Sequence, residues 1–446
     1  MILSVSALFI PNMIRLLPSR YVTYLPEPLQ ELGARGHVGI LPSVEVNIET
    51  SAAQSEISEL LLQPTSLPTQ AAIATVPPAV IEITATTPAE STAVPDTPTP
   101  VPTPTIPPTV APTPIPFLPA ARVDGIQHQF QSWNNCGPAT IAMALSHFDI
   151  SLPQETTANW LKPNPEDRNV SPHEMVNYVK AETNLDAIGR VNGDLDTLKR
   201  FISAGIPVVI ETGIDPPGEY SWMEWYGHYY LVVGYDDSLE TLWVYDSWLG
   251  SETNPQGERI NSEEGRAIQY DDFDKHWRQF NRQMIISFDP AQREQVINII
   301  GPENMDDTLM WQQTLERTRK ELEVEPENPY LWFNVGTIYA NLGDFELSAL
   351  AFDEARKHGL PWRMLWYQFG PYEAYYNVGR YSDVIELAEV TLFQRPYFEE
   401  SFYYRGLAKI ATGDEVAGRQ DLEAAARFNP RFELAQTALA QLNGDS

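Results

Sequence analysis

The sequence predicts an α+β domain over about residues 122–290 and an all-α solenoid of helical hairpins over 305–443, preceded by a disordered Pro/Thr-rich stalk over 36–121. Three observations predict it. At 446 residues the chain is longer than one hydrophobic core normally supports. Between Gly36 and Ala121 there is no Lys or Arg, and the composition collapses toward Thr, Pro, Ala and Val. After Pro290, prolines 326, 361, 396 and 430 recur at separations of 35, 35 and 34 residues.

The stalk follows from its prolines. The run Thr97–Pro116 removes so many backbone donors that neither helix nor sheet can form, and it favours extended polyproline II, a semi-rigid spacer. Ahead of it, residues 1–35 hold a candidate truncated signal anchor. Met1–Leu17 is apolar but shorter than the roughly 20 residues that span a bilayer. Arg15 and Arg20 follow the apolar run, an order that by the positive-inside rule leaves the next segment in the cytoplasm. A stalk of this kind holds a domain away from a surface, so the expectation is an extracytoplasmic protein with membrane attachment through the N-terminus.

The helical half reads from its period. Trp332, Gly336, Tyr339, Gly343, Phe352, Ala355 and Pro361 set the alternation of small and large residues that a helix-turn-helix unit of about 34 residues needs. Trp366, Gly370, Tyr375, Gly379, Ala388 and Pro396 repeat it with about two extra residues near Pro371, which predicts a kinked or longer first helix. Gly406, Gly413, Leu422, Ala425 and Pro430 form a third unit. Met310–Val324 is a leading helix, and Arg431–Leu442 a closing one that shields the last unit. The pattern resembles the tetratricopeptide repeat family, and that resemblance implies a surface for docking a protein partner.

Charge and cysteine content narrow the function. With 60 acidic and 29 basic residues the net charge is −31, which repels phosphate backbones and excludes nucleic acid as a partner. A single cysteine rules out an intramolecular disulfide and a Cys-rich zinc cage. No His/carboxylate spacing marks a catalytic metal, and no cofactor is expected.

That cysteine stands at an informative place. A polar approach, Gln131-Ser-Trp-Asn-Asn, passes at Cys136-Gly-Pro-Ala into an apolar run through Phe148, with Ile141, Leu145 and Phe148 forming one buried face. Cys136 therefore opens a helix, Pro138 suits its first turn, and Gly137 lets another segment approach closely. A thiol at a helix N-terminus meets unpaired amides and the positive end of the dipole, both of which favour the thiolate.

A base is at hand in Gly227-His228, followed by an apolar strand to Gly234-Tyr-Asp and then Val244-Tyr-Asp246. Two runs rich in aromatic and β-branched residues around a polar turn read as a β-hairpin. Symmetric pairing about Asp237 puts His228 directly opposite Asp246, where a carboxylate can hold one imidazole nitrogen and leave the other for the thiol. His128 is a rival base. The aromatic group Tyr220, Trp222, Trp225 and Tyr226 reads equally as a substrate wall or as packing.

Gln131, Asn135-Cys136-Gly-Pro-Ala, Gly227-His228, Gly234-Tyr-Asp and Val244-Tyr-Asp246-Ser together resemble the bacteriocin-processing group, cysteine peptidase family thirty-nine, within the papain-like fold. The resemblance covers about Val123–Pro290. It implies that Cys136 attacks a peptide carbonyl, His228 moves protons, Asp246 orients His228, and the Gln131 side-chain amide joins the Cys136 N–H in an oxyanion hole. Relatives commonly place the glutamine six positions before the cysteine, whereas Gln131 lies five before it, with Gln127 and Gln129 as competitors. The sequence shows neither a transporter membrane domain nor a nucleotide-binding motif, so the family's leader-peptide substrate is not carried over. The expected activity is a thiol hydrolase acting on a peptide or protein. A Cys-dependent acyl transferase and a catalytically silent peptide-binding scaffold are the alternatives.

Overall fold

The computed structural model describes residue 41 and residues 116–167, 169–216, 224–253 and 258–444. The candidate anchor and nearly all of the expected stalk lie outside them. Leu41 is the exception: it is buried among residues of the helical domain, and its amide donates to the Leu360 carbonyl at 3.0 Å. Among the described residues, no helix is long and apolar enough to cross a membrane.

The first domain is an α+β unit. In chain order it comprises β1 (Ala120–Arg122), α1 (Cys136–Ser146), α2 (Gln154–Leu161), α3 (Pro172–Glu182), β2 (Asp186–Arg190), α4 (Leu195–Ser203), β3 (Val208–Ile214), β4 (Tyr226–Asp236) and β5 (Thr241–Asp246). After these come the short β6 (Glu252–Thr253) and β7 (Arg259–Ile260), then β8 (Arg266–Gln269), α5 (Tyr270–Trp277), β9 (Met284–Phe288) and α6 (Arg293–Ile300). The main sheet runs β2-β9-β3-β4-β5-β8, every pair antiparallel, and β1 pairs with the end of β4 beyond the reach of β3.

Both faces of the sheet are covered, so its central strands are apolar on both sides. Val209, Leu231, Val233 and Ile285 pack against α1 and α3 through Ile141, Leu145, Met175 and Val179. Val208, Ile210, Val232 and Ile286 pack the other way, against Leu198 and Phe201 of α4 and Phe273 and Trp277 of α5. Helix α1 is buried all round from Gly137 to Ser146 rather than along one face, and Phe148 lies beyond its end. A helix apolar on every side belongs in an interior, which is where the structure places it.

Helices α7 (Asp307–Val324), α8 (Pro329–Asn341), α9 (Phe345–Lys357), α10 (Gly370–Asn377), α11 (Tyr381–Gln394), α12 (Glu399–Ala411), α13 (Glu415–Phe428) and α14 (Glu433–Asn443) form the C-terminal helical region. They pack as successive hairpins, α8 on α9, α10 on α11 and α12 on α13. The small residues work where the period put them: a Cβ at Gly336 would come within 2.6 Å of the Phe352 ring. The expected kinked or longer helix in the middle unit is instead broken. A 3₁₀ turn over Trp362–Trp366 precedes the short α10, whose second residue is Pro371. Proline cannot continue a helix that needs its N–H but is well placed in a first turn, so the extra residues end one helix and start another.

The domains share an extensive interface. Arg282 bridges Asp274 at 2.7 Å and Glu321 at 2.6 Å, and Trp225 stacks on Phe280 with centroids 5.9 Å apart beside Tyr330 and Tyr367. The Trp225 Nε1–H donates to Gln279 at 2.7 Å. Trp225 thus belongs to packing between domains, while Tyr220 and Trp222 lie outside the described residues.

Elsewhere on this interface Glu174 of α3 and Asp167 face Glu399 and Glu400 of α12. Burial, with help from neighbouring carboxylates, raises Glu174 to about 7 and pushes Glu399 and Glu400 well up. A carboxyl whose folded value is raised stabilises fully only below its unfolded value of roughly 4.3, and folding is penalised as pH rises past that. Glu399→Gln, which can keep the bond from Asn429 Nδ2 at 2.8 Å, is therefore expected to raise the melting temperature at pH 7.5 and to change it little at pH 4. Equal destabilisation at both values in thermal melts would contradict the charge argument.

Candidate active site

The approach to Cys136 is shaped by one buried side chain, Gln154 of α2. Its Oε1 accepts from the Ser132 N–H at 2.6 Å and from Asn135 Nδ2 at 3.3 Å, while its Nε2 donates to the Phe130 carbonyl at 2.7 Å. Asn134 then turns the chain in the left-handed region, φ 55°, which asparagine tolerates better than most residues. Cys136 follows as the first residue of α1 and stays partly accessible. A Cβ at Gly137 would lie 3.1 Å from Val170 Cβ and 3.6 Å from Tyr229 Cδ2, so the close approach expected at this glycine is real.

His228 comes from β4 and Asp246 from the end of β5. His228 shares a side-chain hydrogen bond with Cys136, and its Nε2 meets Asp246 Oδ1 at 2.9 Å. The three expected residues are therefore brought into one hydrogen-bonded line.

The register that does this differs from the expected symmetric hairpin. Asp246 pairs with Tyr230, not His228, and the turn falls later, with Asp236 opposite Thr241. An irregularity between Val232 and Gly234 inserts one residue into β4. Without that bulge, the pairing at the turn, Gly234 with Trp243, would run on to set Asp246 opposite Leu231 and turn it to the wrong face of the sheet. With it, Asp246 shares a face with Tyr230 and hence with His228, its diagonal neighbour, a separation that long side chains can bridge.

Sequence reasoning missed two cations. Arg266, at the start of β8, donates through Nη1 to Asp246 Oδ2 at 2.7 Å. It lies opposite Val244, one diagonal step from Asp246, a relation that appears only once β8 is known to pair with β5. The Asp246 carboxylate also accepts the backbone N–H groups of Trp248 at 2.8 Å and Leu249 at 3.1 Å through Oδ1. Lys162, just after α2, donates to the Asn134 carbonyl at 2.7 Å and places its charge near the thiol.

The electrostatics follow from these contacts. Burial pushes the Cys136 thiol up, but the hydrogen bond and charge of His228, the charge of Lys162 and the Gly137 N–H outweigh it and leave the thiol below its ordinary value. Burial pulls His228 down, yet Asp246 and then Cys136 raise it to about 9. Burial would raise Asp246, but His228, Arg266 and the Trp248 N–H hold it at about 2. These contacts favour a thiolate at Cys136 facing an imidazolium at His228 over the Asp246 carboxylate.

Other polar groups sort into support. His128, the rival base, binds the Asp246 backbone carbonyl at 2.9 Å through Nε2. Gln129 is occupied at both ends of its amide, donating to the Leu152 carbonyl at 2.7 Å and accepting from the Gln154 N–H at 3.0 Å. Gln131 accepts from the Ser247 hydroxyl at 2.9 Å, and its own N–H donates to the Ser247 carbonyl at 2.7 Å. These bonds fix Gln131 beside the end of β5. No group of three or more metal-ligating side chains occurs among the described residues.

No curated protein matches the chain. Among solved structures, a Bacillus anthracis protein named as a C39-like peptidase aligns at 16% identity and a TM-score of 0.29, covering 38% of this chain and 96% of its own. Residues 123–285, the α+β domain that carries Cys136, His228 and Asp246, match the sequence model of the Peptidase_C39 like family, so this domain is similar to the cysteine peptidases of that family.

Proposed function

We propose that the α+β domain is a thiol hydrolase that cleaves peptide bonds through Cys136, His228 and Asp246. The observation that carries this reading is the continuous line from a helix-initiating thiol through a buried imidazole to a carboxylate anchored by Arg266 and two amides. The Cys136 thiolate attacks the scissile carbonyl carbon, and negative charge develops on the carbonyl oxygen. The Cys136 N–H and the Gln131 side-chain amide are the donors aimed at that charge, each worth about 3 to 4 kcal/mol in a transition state. Ser247 supports Gln131 in this role, since a hydrogen bond to the amide oxygen leaves the Nε2–H groups for the oxyanion. His228 gives its proton to the leaving amine, and an acyl-enzyme remains on sulfur. His228 then takes a proton from water, whose oxygen attacks the thioester and frees Cys136. Through its tetratricopeptide-like hairpins the helical domain docks a protein partner, and the stalk holds both domains outside the cytoplasm.

The experiment is a peptide digest with product analysis, run with and without an added amine. Free acid and free amine in equal amounts support hydrolysis, whereas exchange with the amine and no net hydrolysis would replace it with acyl transfer. The charge states give a second expectation. His228 holds its proton up to about pH 9, so kcat/KM should fall through a basic limb there. The acid limb should report the lowered thiol, because Asp246 at about 2 is ionised throughout. Iodoacetamide labelling of Cys136 should persist below the pH at which a free thiol, with a value of about 8.5, stops reacting. A labelling curve that follows a free thiol would remove the ion pair.

A further inference from the structure

Between the two domains runs a groove of about 670 Å³ whose inner wall includes Glu211. Glu211 lies on β3 directly across from Tyr229 and one place before Thr212, the partner of His228. It is 1% exposed, and no donor other than the neighbouring Tyr229 hydroxyl comes within reach of its carboxyl oxygens. The Tyr229 hydroxyl beside it donates instead to the Val170 carbonyl at 2.7 Å. A buried carboxyl with no partner is strongly unfavourable unless it takes up a proton or a cation joins it.

Glu211 is the part of the groove wall that connects toward the thiol. A Cβ at Gly137 would lie 3.6 Å from the Tyr229 ring, so Tyr229 stands between Glu211 and the start of α1, and the charges of Glu211 and Cys136 interact. From the helical domain, Tyr367 lines the same groove and packs over Gly227, where a Cβ would come within 2.8 Å of its ring, next to His228. Basic residues on the walls are already engaged: Lys180 and Arg293 pair with Asp186, and Arg190 pairs with Asp307 at 3.3 Å. Met310, Trp311 and Phe369 add apolar surface to the groove, which a second acid, Glu373, also lines. Apolar surface together with a buried carboxyl suits a long aliphatic stem that ends in a cation, which would hold the acid ionised.

We propose that Glu211 is the specificity-determining residue of a substrate pocket formed between the two domains, receiving the ammonium or guanidinium of a lysine or arginine side chain from a peptide bound at Cys136. The identity of the ligand as a peptide rests on the hydrolase reading above. The helical domain thereby builds one side of the substrate site in addition to docking a partner.

The test uses the full chain carrying Cys136→Ala, so that binding is read without turnover. Fluorescein-labelled peptides that are identical except for Lys, Arg, norleucine, Gln or Glu at one position, with that position moved along the peptide, are titrated by anisotropy. The wild-type chain is scored on the same set by kcat/KM. At one position Lys and Arg are expected to exceed norleucine by about 30-fold or more, and Glu211→Gln should reduce that ratio to a few-fold. Absence of a basic preference in both arms overturns the proposal, as does a preference that survives Glu211→Gln. Hydrolysis of basic and neutral peptides at equal rates would sink the pocket and leave the hydrolase reading intact. Basic-selective binding that depends on Glu211, with no turnover by the wild type, would do the reverse.

Discussion

Cys136→Ala is expected to lower peptide hydrolysis by about 10⁴-fold or more, and His228→Ala by a comparable factor, because nucleophile and base act as a unit and removing either disables it. The reason lies in the coupling of their charges. His228 holds the thiol below its ordinary value, and the thiolate in turn helps to raise His228. Without His228 the thiol keeps its burial and loses its largest stabilising partner, so it reverts toward the neutral, unreactive form. His228→Ala should therefore slow both hydrolysis and iodoacetamide labelling near neutral pH, and the double variant should be little worse than either single one. Steady-state kinetics and mass-spectrometric labelling measure the two effects. Hydrolysis retained by Cys136→Ala would end the mechanism.

Replacing Asp246 is expected to have the largest effect on stability. Asp246 is fully buried and accepts from His228, Arg266 and two backbone amides. Asp246→Ala leaves those donors without an acceptor, and breaking a buried charge cluster from one side costs about 3 to 5 kcal/mol. The Arg266 side chain is 25% exposed and can recover some hydration, which places the loss toward the lower end. Asp246→Asn keeps one acceptor oxygen, so it should lose less stability and retain a residual rate. The sign with pH is fixed. Asp246 is depressed in the folded state, so its contribution is present above the unfolded carboxyl value, roughly 3.9, and is lost as pH falls toward about 2. Urea midpoints of wild type and Asp246→Asn should therefore converge below pH 4. A constant gap across that range would show that Asp246 is not the charged anchor described.

The chemistry-bearing residues were legible because local sequence constrains them. Cys136 is marked by the switch from polar loop to buried helix, and His228 and Asp246 by their places on two adjacent strands. The period of the helical half was legible for the same reason, since each small residue answers a large one within its own unit. What failed was register. A bulge at Val233 is a backbone event with no composition of its own, and it decides which face Asp246 occupies. The expected symmetric pairing missed it and still put His228 and Asp246 on one face, because the error in register was an even number of residues.

The sequence by itself determined two structured units, a cysteine at a helix start and a histidine with a carboxylate nearby, since helix termini, strand alternation and repeat periods are short-range properties. Only the tertiary structure decided what surrounds them. Arg266 reaches Asp246 through a strand 20 residues further on, and Lys162 reaches Cys136 from beyond another helix. Glu211 in a strand of apolar residues looks like an interruption until the helical domain packs beside it and turns a buried acid into the wall of a groove. Desolvation and charge pairing depend on which segments meet in space, and that is set by packing rather than by local pattern.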